Sequence, residues 1–212
     1  MSNLLIGLQS WYDLEDARDS VSGRDLTNAN GVSFEPGKKD DAAKFSAGSN
    51  QSLCYDYPIL AGGKNAFTIA GWVKADTTER WRMIYVGDGT FLYRDYGNAI
   101  TWTVYDGTYR SLALNAAPTG DWMFVVLRYR PNVGEHGQFK FDLRHGEEAS
   151  STTYSAIAEP EHLRRCYFGW ANDVDARGQV DSVGLWSRML TDAEIGLLWN
   201  GGCGVSYADI SA

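Results

Sequence analysis

The sequence is poor in the residues that build a disulfide framework or a nucleic-acid-binding surface. Its three cysteines, Cys54, Cys166 and Cys203, are an odd number without C-x-x-C spacing, which predicts free thiols rather than disulfides or a zinc site. Lysine and arginine number 19 against 27 acidic residues, and no basic run occurs. The net charge of −8 argues against a nucleic-acid partner, because phosphate binding depends on clustered cations.

Long apolar runs and linkers are also missing. No stretch approaches the roughly 20 apolar residues that span a bilayer. The apolar start, Leu4 to Leu8, lacks the basic and long apolar segments of a secretory signal. We therefore expect synthesis in a reducing cytoplasm and no membrane partner. Because no Pro-rich or Gly/Ser-rich linker divides the chain, we expect a single domain over residues 1–212.

What the chain has in quantity is aromatic residues and alternation of apolar with polar positions. QFKFDLRH sets Phe139, Phe141 and Leu143 against polar neighbours, and FTIAGWVKA and NAITWTVYDG follow the same pattern. WMFVVLRYR is apolar on both faces in its first half, as in a strand covered on two sides. Turn signals recur about every ten residues. The sequence thus predicts an all-β, two-sheet antiparallel sandwich.

One short helix is predicted near the C-terminus. Thr191 and Glu194 form a T-x-x-E capping box, and Leu190 and Ile195 are spaced as a hydrophobic staple. The glycines 201–202 can end the helix in a left-handed conformation. We expect this helix to cover one edge of the sandwich.

The strand before the helix, GQVDSVGLW, carries a carboxylate among apolar positions. Strict alternation places Asp181, Val183 and Leu185 on one face and Ser182 and Gly184 on the other. Asp181 is therefore predicted to point into the core. A buried carboxylate is costly unless it is paired, hydrogen-bonded or bound to a metal.

The same region resembles a known family. GQVDSVGLWSRMLTDAEIGLLWNGG resembles the C-terminal signature of laminin-G-like domains of the concanavalin A-like lectin/glucanase superfamily. LQSWYDLED, the DSVSG turn and AFTIAGWVKAD resemble the opening of that family in the same order. The resemblance covers residues 8 to 202 and implies a concanavalin A-like jelly roll. The tail WNGGCGVSY resembles the ends of such domains in bacteriophage structural proteins, which implies a location on the virion surface.

The resemblance also implies a structural calcium ion. Family members often hold calcium between the Asp-Ser turn and the Asp of the late strand, and the matching residues here are Asp19 and Asp181. Calcium is bound by carboxylate and carbonyl oxygens. The alternative is that Asp181 accepts hydrogen bonds from backbone amides or pairs with Arg18 or Arg188.

Catalytic motifs are not found. Glucanases of the superfamily carry E-x-D-x-x-E or E-x-D-x-E on one strand. That motif is missing here, as are G-x-S-x-G, H-E-x-x-H and the P-loop. We therefore expect a protein that is not an enzyme.

The sequence has instead the materials of a carbohydrate-binding site. Sugars present apolar C–H faces and dense hydroxyls, which aromatic rings and Asn, Asp or Arg side chains can bind. Trp102 shares a face with Ile100 and Val104 and is expected to be buried, whereas Trp81, between two arginines, is expected to be exposed. The candidate ligand-binding residues are Trp81, Tyr93, Tyr96, Trp170 and Asn172.

These features predict a lectin-like, non-catalytic module on a phage virion, as a capsid decoration or a tail or fibre protein. Its partners would be host or environmental glycans, with many copies amplifying a weak affinity. The alternative is a purely structural virion subunit that contacts other virion proteins or copies of itself. Residues 1–7 are either an attachment segment or an ordinary edge strand. A glycoside hydrolase is disfavoured by the missing carboxylate pair.

Overall fold

The computed structural model describes residues 3–60, 65–87, 89–94, 99–115, 119–133, 136–157, 163, 165–169 and 176–212. Its strands are Leu8–Tyr12 (β1), Thr27–Ala29 (β2), Ser33–Pro36 (β3), Asp41–Phe45 (β4), Ser52–Tyr55 (β5), Phe67–Ala75 (β6), Trp81–Val86 (β7), Thr90–Arg94 (β8), Ala99–Tyr105 (β9), Tyr109–Asn115 (β10), Trp122–Val133 (β11), His136–His145 (β12), Glu148–Ile157 (β13), Cys166–Gly169 (β14) and Gly178–Trp186 (β15). The helices are Asp192–Trp199 (α1) and Tyr207–Ser211 (α2), with 3₁₀ turns at Asn3–Leu5 and Asn200–Gly202.

The strands form two antiparallel sheets. The eight-stranded sheet has the order β13-β12-β11-β6-β15-β4-β3, and β1 also pairs with β15. The seven-stranded sheet has the order β10-β9-β8-β7-β14-β5-β2. The predicted all-β, two-sheet sandwich with a jelly-roll architecture is confirmed.

The main core lies between the sheets. Trp102 is fully buried there with Ile100 and Val104, as their shared parity predicted. Alternate residues of β12, Phe139 and Phe141, enter the same core from the opposite sheet. The period-two pattern therefore identified the inward faces of these strands correctly.

A second apolar cluster lies on the outer face of the eight-stranded sheet. Phe124 and Val126 of β11 point there, away from the main core, which explains why this strand is apolar on both faces. Ile195 and Leu198 of α1 pack on the same cluster. The helix thus covers the face of the sheet rather than its edge, because that face is apolar and must be shielded from water.

Helix α1 begins with the predicted capping box, and its left-handed C-cap residue is Asn200 rather than a glycine. Thr191 Oγ1 accepts the Glu194 N–H at 3.3 Å, and Glu194 Oε2 accepts the Thr191 N–H at 2.8 Å, which confirms the capping box. The left-handed residue at the C-cap is Asn200, with φ 48°, and Gly201 follows at φ 61°. Asparagine tolerates this conformation because its short polar side chain can bond locally, and Asn200 Nδ2 donates to the Gly204 carbonyl at 3.0 Å.

Residues from both ends of the chain pack on the apolar cluster at the outer face of the eight-stranded sheet. Helix α2, which the sequence patterns did not predict, begins with a second capping box between Ser206 and Asp209. At the other end, the 3₁₀ turn Asn3–Leu5 occupies the segment where an edge strand was considered, and Leu4 is buried in the outer cluster. An attachment role for residues 1–7 stays a prediction.

The three cysteines are free, as predicted. Among the helices of the described ranges, none has the length and apolar character needed to span a membrane.

Candidate functional site

Asp181 lies beside a β-bulge in β15. Asp181 pairs with Trp72 of β6, whereas Gly184 pairs with Ala70, so two residues of β15 oppose one residue of β6. Ser182 has a φ of 48° at this point. The extra residue reverses the alternation. Asp181 therefore shares the outer face with Trp72, and the prediction that it points inward with Val183 and Leu185 was wrong.

Asp181 is nevertheless fully buried, beneath the turn between β3 and β4. Its Oδ2 accepts the Lys38 and Lys39 backbone N–H groups at 2.7 and 2.9 Å, and its Oδ1 accepts the Ser182 hydroxyl at 2.8 Å. Burial raises the pKa of Asp181 to about 6 even though these donors favour the charged form. The carboxylate thus fastens the turn to the outer face, in agreement with the backbone-amide alternative.

Asp19 organises the turn that follows β1. Its Oδ1 accepts the Trp11 and Val21 N–H groups at 3.0 and 3.1 Å. Its Oδ2 accepts the Arg24 N–H at 3.2 Å and the Ser22 hydroxyl. All four bonds close loops of short sequence separation, so Asp19 has a structural role in this turn.

This hydrogen bonding does not fit a calcium ion shared by Asp19 and Asp181. The N–H and O–H hydrogens occupy the lone pairs that a cation would need. Throughout the residues the structure describes, no group of three or more His, Cys, Asp or Glu side chains is placed to hold a metal. The calcium ion that the resemblance implied has no direct test, and from the hydrogen bonding we expect that Asp19 and Asp181 do not share one.

The predicted ligand-binding residues separate in the structure. Trp81 is fully buried in the main core, because it occupies an inward position of β7 opposite Arg94. The expectation that Trp81 is exposed was therefore wrong. Tyr93 is half-buried on the outer side of β8. Tyr96, Trp170 and Asn172 lie outside the described residues.

Tyr93 belongs to a set of outward side chains on the seven-stranded sheet that we call the aromatic strip. Its ring centroids are 6.1 Å apart for Tyr167 and Tyr85, 6.0 Å for Tyr85 and Phe91, and 5.5 Å for Phe91 and Tyr93. The strip continues through Tyr109, 6.3 Å from Phe91, to Tyr105, 4.9 Å from Tyr109. The aromatic strip consists of Tyr85, Phe91, Tyr93, Tyr105, Tyr109 and Tyr167.

Strand register brings these rings together. Tyr167 pairs with Tyr85, Tyr85 with Phe91, and Phe91 with Thr103. Residues directly opposite in neighbouring strands point to the same side of the sheet. Side chains of a sheet stand roughly perpendicular to it, so the tyrosine hydroxyls, at the tips of the rings, are directed away from the sheet.

The strip combines apolar surface with hydrogen-bonding groups. Tyr109 is 60% exposed, whereas Tyr85 is 8% exposed and supports its neighbours. Thr103 Oγ1 lies 3.1 Å from Ser111 Oγ beside the rings. The Arg82 guanidinium lies over the Phe91 ring at 4.6 Å, and burial together with nearby Arg80 lowers its pKa.

The end of the strip at β14 is anchored. The Tyr167 hydroxyl donates a hydrogen bond to the exposed Asp56 carboxylate. Burial, then this bond, raises the pKa of Tyr167 to about 12. Tyr167 therefore stays a neutral hydroxyl over the physiological pH range.

The candidate residues chosen from the sequence include one member of the strip, Tyr93. Phe91 and Tyr93 are two residues apart in β8, as are Thr103 and Tyr105 in β9, and this spacing indicates that each pair lies on one face of the sheet. However, the pairing of β7 is irregular between Arg82 and Ile84. Trp81 and Tyr85, which strict alternation would place on the same face, therefore point to opposite faces of the sheet.

The fold is similar to several solved structures. The botulinum neurotoxin serotype D binding domain is 16% identical with a TM-score of 0.66, covering 92% of this chain and 51% of that chain. Domain 4 of AbnA, an extracellular arabinanase from Geobacillus stearothermophilus, in complex with arabinotriose, is 12% identical with a TM-score of 0.65, covering 93% and 98%. The enzymatically active domain of bacteriophage CBA120 tailspike protein 2 is 12% identical with a TM-score of 0.58, covering 80% and 29%.

These identities show a common fold and no more. The chain spans about half the length of the botulinum neurotoxin chain, and no curated protein matches it in sequence. The family model Laminin_G_3, concanavalin A-like lectin/glucanases superfamily, matches residues 40–196, which is more than half of the chain. With the two antiparallel sheets described above, this match shows that the chain belongs to the concanavalin A-like lectin/glucanases superfamily.

Proposed function

We propose that the protein is a non-catalytic carbohydrate-binding module whose ligand lies on the aromatic strip. The proposal depends on one observation, the run of contacting aromatic rings from Tyr167 to Tyr109 with hydroxyl groups beside and above them. Aromatic carbon suits the C–H faces of sugars, and phenol hydroxyls both donate and accept hydrogen bonds. None of the six side chains of the strip is a carboxylate, and Asp56 at its end is bonded to the Tyr167 hydroxyl, so we assign the strip binding and not the hydrolysis that a carboxylate pair performs.

The comparisons support this proposal at the level of the fold. The AbnA domain, similar over nearly its whole length, is in complex with arabinotriose, and the botulinum neurotoxin structure is a binding domain. We further propose display on a phage virion, a proposal supported by the similarity to a phage tailspike domain.

The test is a glycan array probed with a multivalent form of the protein. We expect wild type to bind at least one glycan, Tyr109→Ala to lose that signal, and Tyr57→Ala to keep it. Tyr57 is a matched control because it is 67% exposed, against 60% for Tyr109, and lies outside the strip. An array without any bound glycan, or equal losses in both variants, would contradict the proposal.

A structural virion subunit is the second candidate. It is favoured by the exposed apolar side chains Leu5, Ile6 and Leu197, which are 44%, 60% and 52% exposed and suit contact with a neighbouring protein. A substitution of all three with serine would weaken particle incorporation if this candidate holds, and would leave glycan binding intact.

A further inference from the structure

We propose that an acidic segment of a partner protein binds one margin of the outer face of the eight-stranded sheet. The residues of this surface, which we call the tryptophan margin, are Lys38, Lys74, Trp122, Arg144 and Trp199. The margin is separate from the aromatic strip, and its role does not depend on sugar binding there.

Strand register places these side chains on one face of the sheet. Lys74 of β6 pairs with Trp122 of β11, which packs against the outer apolar cluster. Arg144 of β12 pairs with Phe124, a member of the same cluster. Residues directly opposite in neighbouring strands point to the same side. Both cations therefore lie on the side of the sheet that carries α1.

Each cation of the margin lies over a tryptophan ring. The distance from the charged group to the ring centroid is 4.7 Å for Lys38 and Trp72, 5.1 Å for Lys74 and Trp122, and 5.9 Å for Arg144 and Trp199. Trp199 stacks on the buried Trp72 with centroids 5.0 Å apart, which joins the first and third pairs. Trp122 and Trp199 are only half-buried, so α1 leaves part of both rings open to a partner.

The three cations of the margin have no carboxylate partner within the described ranges. Lys38, Lys74 and Arg144 form no ion pair there, although the chain has 27 acidic residues against 19 lysines and arginines. Contact with a ring leaves the N–H donors of an ammonium or guanidinium group able to bind an anion. Carboxylates of a partner can therefore bind here without displacing an existing ion pair.

The carboxylates around the margin limit the kind of anion that it can bind. Three of them contact other cations: Asp76 contacts Lys44, Asp209 contacts Lys39, and Asp121 contacts His145. Asp181 is buried beneath the turn between β3 and β4, and Asp40, Asp41, Glu147 and Glu148 are exposed at neighbouring turns. These groups repel a chain with a charge on every unit, such as a polyuronate or a nucleic acid. A segment with a few acidic residues between apolar ones avoids that repulsion.

The spacing of the cations requires more than one carboxylate. Arg144 and Lys74 lie in β12 and β6, with β11 between them, so their backbones are about 10 Å apart. An extended peptide covers this distance in about three residues. The rings of Trp122 and Trp199 offer contact area to its apolar side chains, and tryptophan and arginine are enriched where proteins bind one another. The margin therefore suits a peptide segment in which acidic residues are separated by apolar ones.

A peptide array tests this inference. The probes are random nonapeptides with zero to four aspartate or glutamate residues among apolar ones, each printed beside a copy with asparagine or glutamine in place of the acids. We expect the signal of the wild-type protein to rise with the number of acids up to about three, one for each cation of the margin. The signal should be about tenfold lower on the amide copies and should fall as salt is added.

Variants of the margin locate the bound peptide. Lys74→Met and Arg144→Met keep an apolar stem on the ring and remove the charge. Each should weaken binding of the best acidic peptide about tenfold, equivalent to about 1.4 kcal/mol. Arg130→Met is the matched control, because Arg130 is exposed on β11 roughly 27 Å along the strand from Trp122. Tyr109→Ala should keep peptide binding, and equal thermal midpoints check that each variant is folded.

The inference is overturned if no peptide binds, or if the acidic peptides and their amide copies bind equally. It also fails if Arg130→Met weakens binding as much as Lys74→Met, because the charge effect would then be general. If Lys74→Met loses uronic-acid glycans on the glycan array while no peptide binds wild type, the margin binds acidic sugars and the peptide partner is refuted. An empty glycan array together with peptide binding would refute the proposed function and leave this inference standing.

Discussion

Replacing Asp181 with asparagine is expected to flatten the pH dependence of the unfolding free energy between neutral and mildly acidic pH. Burial raises the pKa of Asp181 from 3.8 to about 6 in the folded protein, so the folded state binds this proton more tightly than the unfolded state. The resulting stabilisation is fully present below pH 3.8 and is lost as the pH rises through 6.

The size of the effect follows from the pKa difference. A difference of about two pKa units corresponds to about 3 kcal/mol. Asparagine suits the site, because its oxygen can accept the Lys38 and Lys39 N–H groups while its amide donates to Ser182 Oγ, which can accept as well as donate. Glu194 does not contribute in this range, since hydrogen bonds from Arg188 lower its pKa to about 2.

The assay is urea unfolding of wild type, Asp181→Asn and Asp16→Asn over a series of pH values from slightly alkaline pH to below pH 3.8, where the stabilisation is fully present. Asp16 is a suitable control because its side chain is 53% exposed. Wild type and the control should gain stability on acidification by about 3 kcal/mol more than Asp181→Asn. The histidines are the same in the three proteins, so their titration contributes equally to the three stability profiles. Parallel profiles for wild type and Asp181→Asn would refute the reasoning.

Three further predictions concern the packing around helix α1 and the predicted calcium ion. Arg128→Met should cost about 1–3 kcal/mol in denaturant unfolding, because it removes the donor to the Leu190 carbonyl and one partner of Asp142, which keeps Lys140 at 3.1 Å. Gly196→Ala should raise stability by about 0.8–1 kcal/mol, since a Cβ there meets no described heavy atom within 4 Å; a lower thermal midpoint would contradict this. Adding calcium or a chelator should leave the thermal midpoint unchanged, and a calcium-dependent rise that Asp19→Asn or Asp181→Asn removes would show that an ion displaces the donors.

The regular parts of the fold could be predicted because local rules decide them. Alternation identified β6, β9 and β12, an apolar run identified β11, and the Thr191–Glu194 spacing identified the start of α1. The bulge at Ser182 could not be predicted in this way. A serine with a φ of 48° is held there by tertiary contacts, and no nearby residue signals it, so the face of Asp181 was predicted incorrectly although its burial was expected.

The candidate site was predicted less completely for a similar reason. Tyr93 was identified from a local cluster of aromatics. Tyr85 and Tyr109 lie in β7 and β10 of the same run of consecutive strands, whereas Tyr167 comes from β14, far away in sequence. The contact of Tyr167 with Tyr85 depends on the pairing of β14 with β7, which local alternation does not determine. Trp81 was misassigned because its charged neighbours Arg80 and Arg82 suggested exposure, whereas strand parity decides which way a side chain points.

The two outer faces of the sandwich differ in chemistry, and this difference separates stability from binding. One face carries Trp72, Trp186 and Phe124, which have little hydrogen-bonding capacity, and the chain covers them with α1 and α2. The opposite face carries Tyr93 and Tyr109, which remain partly exposed. A tyrosine can stay at such a surface because its hydroxyl bonds to water while its ring packs on neighbours. A ligand rich in hydroxyl groups can form the hydrogen bonds that water forms with these tyrosines. The uncovered face is therefore the one suited to binding such a ligand.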